Sequence, residues 1–246
     1  MKNPIKAKGF TLVELLVVIV IIAVLAALSL MGFGRFRNSA DASRAMSTLR
    51  QLQVANTSYS SENNGRYCPV YGTDDKGVTD PKLHWHENTK YLALLTGSDI
   101  PLETAALRKQ NIPPSLMDPK VFRQKKHLHG ELQASYGMNH EVANNWGQKS
   151  TESSVHVSSV VNPSRTCAFI SSTDWIAKYS GRFLWRNSPI EGKTPDGKIA
   201  FRHDKKAMVV YYDGHVGTVT AENLRAFERL KPNKNNQPFW TANAPE

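Results

Sequence analysis

Lys8-Gly9-Phe10-Thr11-Leu12-Val13-Glu14, running on into LLVVIVIIAVLAALSLMGF at residues 15–33, is the stretch on which the architecture of this chain turns. The apolar run holds no charge in 19 residues. At a rise of about 1.5 Å per residue, a helix of that length spans roughly the 30 Å hydrocarbon core of a bilayer. Lys2, Lys6 and Lys8 precede it, and such a basic flank stays on the cytoplasmic side of the membrane. Glu14 does not fit a plain anchor, because a carboxylate at the edge of a membrane span is costly unless it finds a partner.

A secretory signal peptide also has a basic start and an apolar run. Here the run is longer than an ordinary signal core, and Met31-Gly32-Phe33-Gly34-Arg35 offers no small-x-small cleavage site. The segment Gly9-Phe10-Thr11-Leu12-Val13-Glu14 instead resembles the processing site of type IV prepilins and of type II secretion pseudopilins. The resemblance implies a membrane-embedded prepilin peptidase that cuts after Gly9 and N-methylates Phe10. Glu14 would then be the fifth residue of the mature chain, where that family carries its glutamate. A new α-amino group at Phe10 would lie within about one helical turn of Glu14. In an assembling filament the Glu14 carboxylate of one subunit can meet the terminal ammonium of its neighbour, which offsets part of the cost of burying both ions.

Outward from the span, the helical pattern continues. Ala42, Ala45, Met46, Leu49, Leu52, Ala55 and Tyr59 recur at steps of three and four and mark one helical face. Arg37, Asp41, Arg44, Arg50 and Gln53 fall on the other face. Gly32 and Gly34 lower helix propensity at the junction, where a bend is expected, and Asn63-Asn64-Gly65 supplies the stop. Beyond Gly65 the texture changes to short segments broken by Gly, Pro, Asn and Asp. His84–Leu95 reads as a short amphipathic helix or a wrapped loop, and Glu103–Gln110 as another short helix. Thr166–Ile170 and Lys198–Phe201 read as strands. Ala207–Tyr212, Asp213-Gly214 and His215–Val219 read as a hairpin with a type I′ turn. A last helix over Ala221–Leu230, capped by Thr220, leads to an irregular tail from Lys231 to Glu246.

The expected fold class is therefore α+β: a long N-terminal helix on a small antiparallel sheet, with long loops and a short C-terminal helix, as in pilins. The domain reading is a leader at 1–9, a transmembrane helix at 10–33, its amphipathic continuation at 34–64, and a globular head at 65–246. His203, followed by nine residues and Asp213-Gly214, resembles the C-terminal mark of a large bacterial subgroup of prepilin-like proteins. Ser135–Asn139 and Asn162-Pro163-Ser164 add to that resemblance.

Candidate site residues in the head are few. His203 and Asp213 could approach each other across paired strands, with Asp174, Asp204 and His215 as added ligands. Some secretion pseudopilins bind calcium near the C-terminus, which makes Asp174 and Asp213 calcium candidates. Calcium takes six to eight oxygens, however, and there is no clustered carboxylate loop. The plainer reading makes Asp213-Gly214 a turn and has His203 bond to backbone beside it. His84-x-His86 and His127-x-His129 read as surface histidines, since no third ligand sits at a recognisable spacing. Cys68 and Cys167 allow one long-range disulfide or two buried free thiols.

The net charge of +10 is scattered outside the leader, so nucleic acid is not an expected partner. No nucleophile elbow, zinc-protease helix or phosphate loop is present, and no cofactor or enzymatic activity is expected. The resemblance implies a structural subunit of a type IV pilus or a type II secretion pseudopilus. Its partners would be the prepilin peptidase, other pilin-like subunits and an inner-membrane assembly machinery. The chain would cross the bacterial inner membrane once, with its head periplasmic or on an extracellular filament. The alternative is a membrane-tethered binding module for acidic polysaccharide or DNA that uses the same export signal without polymerising.

Overall fold

The computed structural model describes residues 11–73, 79–80, 84–98, 112–124, 131–142, 154–179, 198–224 and 237–242. The chain divides into two compact units, Met1–Ala40 and Asp41–Glu246. One helix, α1 (Leu12–Glu62), runs through the boundary without interruption at Gly32 or Gly34.

In the first unit the α1 side chains from Leu12 to Leu28 are exposed throughout. The helix is long and apolar enough to cross a membrane. Apolar residues on all sides of a helix with no protein against them are the pattern expected of a segment solvated by lipid.

The second unit is α+β. Helix α1 there buries Ala45, Leu49, Leu52, Ala55 and Tyr59, with Ala42 and Met46 packed partly against the same core, as the spacing requires. The polar face departs from expectation at two places. Asp41 is buried against Arg123, whose guanidinium donates to both of its carboxylate oxygens. Gln53 is buried and donates to the Tyr212 carbonyl at 2.9 Å. Its own oxygen accepts from Asn56 Nδ2, while Asn56 Oδ1 receives the Cys68 N–H at 3.0 Å. Helical periodicity cannot reveal such residues, because their partners come from distant parts of the chain. The helix ends as expected, with Asn64 and Gly65 at φ 54° and 73° and the Gly65 N–H on the Ser60 carbonyl.

A two-stranded ribbon, β1 (Gly72–Thr73) with β2 (Thr79–Asp80), follows. Next comes α2 (Thr89–Thr96), begun by Asn88, whose side chain accepts from the Tyr91 N–H, and ended by Gly97 at φ 70°. The helix thus starts five residues after the expected His84, since 84–87 form a turn. After α3 (Pro119–Gln124) come β3 (Tyr136–Asn139), β4 (Cys167–Ser171), β5 (Ile176–Ala177), β6 (Lys206–Tyr211) and β7 (Val216–Thr220), in sheet order β5-β3-β4-β6-β7. The sheet is mixed rather than purely antiparallel, because β5 runs parallel to β3. Lys198–Phe201 is no full strand; it touches the sheet through a single bridge, Ile199 to Ser172.

Both sheet faces are covered. Along β6, Met208 and Val210 face the α1 side, whereas Ala207 and Val209 face the other, the period-two alternation of a strand. A register shift between Cys167 and Phe169 turns Ala168 and Phe169 together toward α1. The second face is closed by Phe201, Leu224, Phe239 and Trp240. The tail is therefore part of the core, with Trp240 fully buried and the Cys167 N–H bonded to the Phe239 carbonyl at 3.0 Å. Residues 221–224 are helical. The expected helix at Glu103–Gln110 and the rest of Ala221–Leu230 lie outside the described residues.

Candidate functional site

At the start of α1, Thr11 and Glu14 close on each other. Glu14 Oε2 accepts from the Thr11 N–H at 2.9 Å and from the Thr11 hydroxyl at 2.8 Å, and the Glu14 N–H donates back to Thr11 Oγ1 at 3.3 Å. This is a capping box, in which Thr at the cap and Glu three residues on satisfy each other's orphan donors. The carboxylate thus has a local partner within its own helix. Thr-x-x-Glu before an apolar run is the sequence signal for Thr11 as the cap. Gly9 and Phe10 lie outside the described residues.

In the head, the nine-residue spacing is a strand and its two turns. His203 N–H bonds to the Lys206 carbonyl at 3.2 Å and Lys206 N–H to the His203 carbonyl at 2.9 Å. Between them Asp204 and Lys205 sit at φ 49° and 60°. Two positive φ values inside a reciprocal pair make a type I′ turn. It occurs here rather than at Asp213-Gly214, the place expected for it. At the other end of β6 only Gly214 has positive φ, at 89°, and its N–H returns to the Tyr211 carbonyl at 2.9 Å. That is a three-residue loop closed by a glycine bulge, the arrangement Gly permits without a Cβ clash.

His203 and Asp213 therefore stand at opposite ends of β6, roughly 20 Å apart at 3.3 Å per strand residue, and do not meet. His203 Nε2 lies 2.9 Å from Asp118 Oδ2 instead, so its ring pairs with a carboxylate rather than with backbone. The pair is almost wholly enclosed, with side chains 2% and 0% exposed. Beside it, buried Arg202 donates to the carbonyls of Ser135, Ala134 and Ser172, while Lys120 Nζ bonds to the Arg202 carbonyl at 2.7 Å. The Asp118 carboxylate also accepts the Lys120 N–H, and its own N–H donates to Ser135 Oγ. Burial alone would push the Asp118 carboxyl up. The His203 hydrogen bond, the Arg202 and His203 charges and the Lys120 N–H together outweigh it and hold the group below the usual carboxylate value. Burial lowers the Arg202 guanidinium, against the pull of Asp118. The cluster ties α3 and the 131–136 segment to the sheet; Asp118 and Arg202 carried no sequence signal for it.

The remaining candidates are dispersed. Asp213 Oδ1 accepts from the N–H and Nδ1 of its neighbour His215, which lies flat on Tyr211 at 4.2 Å. Asp174 is buried in the turn after β4 and caps the Trp175 N–H. Asp174 and Asp213 belong to opposite ends of β4, so no calcium cradle joins them. Among the described residues no group of three or more His, Cys, Asp or Glu side chains is placed to hold a metal. His84 and His86 are not surface residues: His86 is buried, and His84 stacks on Trp175 at 4.5 Å. His127 and His129 lie outside the described residues. Cys68 and Cys167 are free, buried thiols rather than a disulfide. They belong to different cores, Cys68 on the α1 side of the sheet and Cys167 on the other.

Residues 5–30 match the family model of the prokaryotic N-terminal methylation motif. No curated protein and no solved structure gives a match. The matched stretch takes in Gly9 and Phe10, the capping box and most of the exposed apolar helix, and it supports a type IV pilin-like protein with a prepilin-type signal.

Proposed function

We propose that this chain is a precursor that prepilin peptidase cuts after Gly9 and methylates at Phe10, and that it then serves as a structural, non-enzymatic subunit of a type IV pilus or type II secretion pseudopilus. The leader would be 1–9, the membrane span 10–33, its helical continuation 34–64 and the head 65–246. The N-terminus would be cytoplasmic, and the head periplasmic or on a filament. The observation that carries this reading is the methylation motif, set on a helix whose apolar residues have no protein cover. A helix exposed in this way needs lipid before assembly and other subunits after it. Intact mass of the protein from a host with active prepilin peptidase tests the reading. Loss of residues 1–9 and one added methyl is expected; an uncut leader or a cut beyond Leu30 would overturn it.

A tethered binding module is the second reading. Its support is a cleft of about 640 Å³ beside α1, lined by Arg44, Gln51, Met117, Phe122 and Arg123 among others. Arg44 has no protein partner among the described residues, which suits an acidic ligand. Capture of the full chain on an acidic polysaccharide should then fall steeply with salt. Capture indifferent to salt removes this reading.

A further inference from the structure

Along α1, the ionic groups that border the apolar stretch are Glu14 on one side and Arg35 and Arg37 on the other. Residues 15–34 between them carry no charge. At about 1.5 Å per residue they rise by roughly 30 Å, the thickness of a hydrocarbon core. With Glu14 at one edge of that core, Arg35 therefore comes at the other, and Arg37 about 3 Å beyond it. The headgroup layer is roughly 5–7 Å deep on each side, so both arginines fall at the level of the lipid phosphates.

Neither arginine finds a counter-charge within the protein. Both side chains are exposed, and among the described residues neither has an ion-pair or hydrogen-bond partner. Asp41, four residues after Arg37, stands where an intrahelical partner belongs, but Arg123 engages both of its carboxylate oxygens. No other carboxylate lies between Glu14 and Asp41. Phe33 and Phe36, three residues apart on one helical face, are 73% and 81% exposed. Helical side chains lean toward the helix N-terminus, which directs both rings back toward the apolar stretch.

We propose that Arg35 and Arg37 bind the phosphates of membrane-lipid headgroups in the leaflet opposite the leader, with Phe33 and Phe36 seated in the acyl layer beneath them. Continuity names the occupant. A bilayer that solvates Leu12–Leu28 reaches its own headgroup layer where these four residues stand. A guanidinium offers a phosphate two parallel N–H donors. The two arginines are about 200° apart around the helix, so they reach different lipids. Their stems lie along apolar surface while the charged heads stay in the polar layer. The contact sets the depth of the helix. A slip inward draws two guanidinium groups into hydrocarbon, and a slip outward gives both phenylalanines to water, so Glu14 is held at the opposite edge. The proposed cut after Gly9 removes Lys2, Lys6 and Lys8, which leaves Arg35 and Arg37 as the basic residues next to the span. The inference rests on the membrane span of the proposed function, and on neither cleavage nor polymerisation.

The test places the full chain, isotopically labelled only at the arginine guanidinium carbon, in bilayers of phosphatidylcholine and phosphatidylglycerol. The buffer contains no phosphate, so lipid is the sole source of phosphorus, and the leader lysines carry no label. Carbon–phosphorus dephasing in solid-state NMR then reads guanidinium–phosphate contact. A fraction of the arginine signal should dephase in the unsubstituted chain. Arg35→Lys with Arg37→Lys keeps both charges, and so insertion, but removes the labelled carbons; that fraction should vanish. Dephasing that survives the double substitution belongs to other arginines and overturns the proposal. A chain that floats with the vesicles but shows no dephased fraction overturns it while leaving the span intact. A chain that does not float with the vesicles removes the span and this inference together.

Discussion

At the scale of single residues, Glu14 is held by Thr11 and is proposed to meet the terminus of a neighbouring subunit as well. Its bonds to Thr11 close the first turn of α1. Glu14→Gln keeps a side chain able to complete the box but removes the charge, whereas Glu14→Val removes both. We expect both variants to be cleaved after Gly9 and both to be missing from sheared filaments, because the proposed pairing with a neighbouring subunit needs a carboxylate. Immunoblotting of sheared fractions checks this, and filaments containing Glu14→Gln would mean that capping is the residue's whole task. The cysteines give a second residue-scale expectation. Burial pushes both thiols well up from their ordinary range, and the thiolate is the reactive form. Neither should react with a thiol reagent until the chain is unfolded, and both should react then.

At the scale of elements, β6 sets the distance between His203 and Asp213 and so sends each to a different partner. Asp118→Asn removes the carboxylate that pairs with His203 and acts on buried Arg202, and it is expected to cost about 3 kcal/mol, within the range for breaking one side of an enclosed ion pair. Denaturant unfolding of the full chain in detergent measures it. The same pair makes a pH prediction. The Asp118 carboxyl lies lower in the folded than in the unfolded chain. Its contribution is therefore fully present above the unfolded value of about 3.9 and is lost as pH falls through the lower folded value. Asp118→Asn should flatten that acid limb of the stability curve.

At the scale of the whole molecule, the tail closes the second face of the sheet. Trp240 is fully buried among Cys167, Phe239 and the other residues of that core. Trp240→Ala should cost about 3–5 kcal/mol, as large as a central core substitution, although the residue lies in a segment with no regular structure. Thermal melting of the full chain decides it; a loss under about 1 kcal/mol, the scale of an ordinary surface change, would mean that the tail only lies on the core.

Features that depend on near neighbours along the chain are legible from the residues alone. The uncharged span, its basic flank and the glycine, phenylalanine and glutamate before it are contiguous. The face of α1 from Ala45 to Tyr59 follows from a 3.6-residue repeat, and the β6–β7 hairpin from β-rich runs on either side of Asp213-Gly214. Tertiary structure decided whatever joins remote segments. The pairing of His203 with Asp118, of Asp41 with Arg123 and of Gln53 with the Tyr212 carbonyl each spans about eighty residues or more. It also decided that the type I′ turn falls at Asp204-Lys205 and that an irregular tail seats Trp240. The physical reason is the same throughout. A buried polar group must find a partner and an exposed apolar sheet face must find a cover, and neither need appears in any local pattern until the chain has closed on itself.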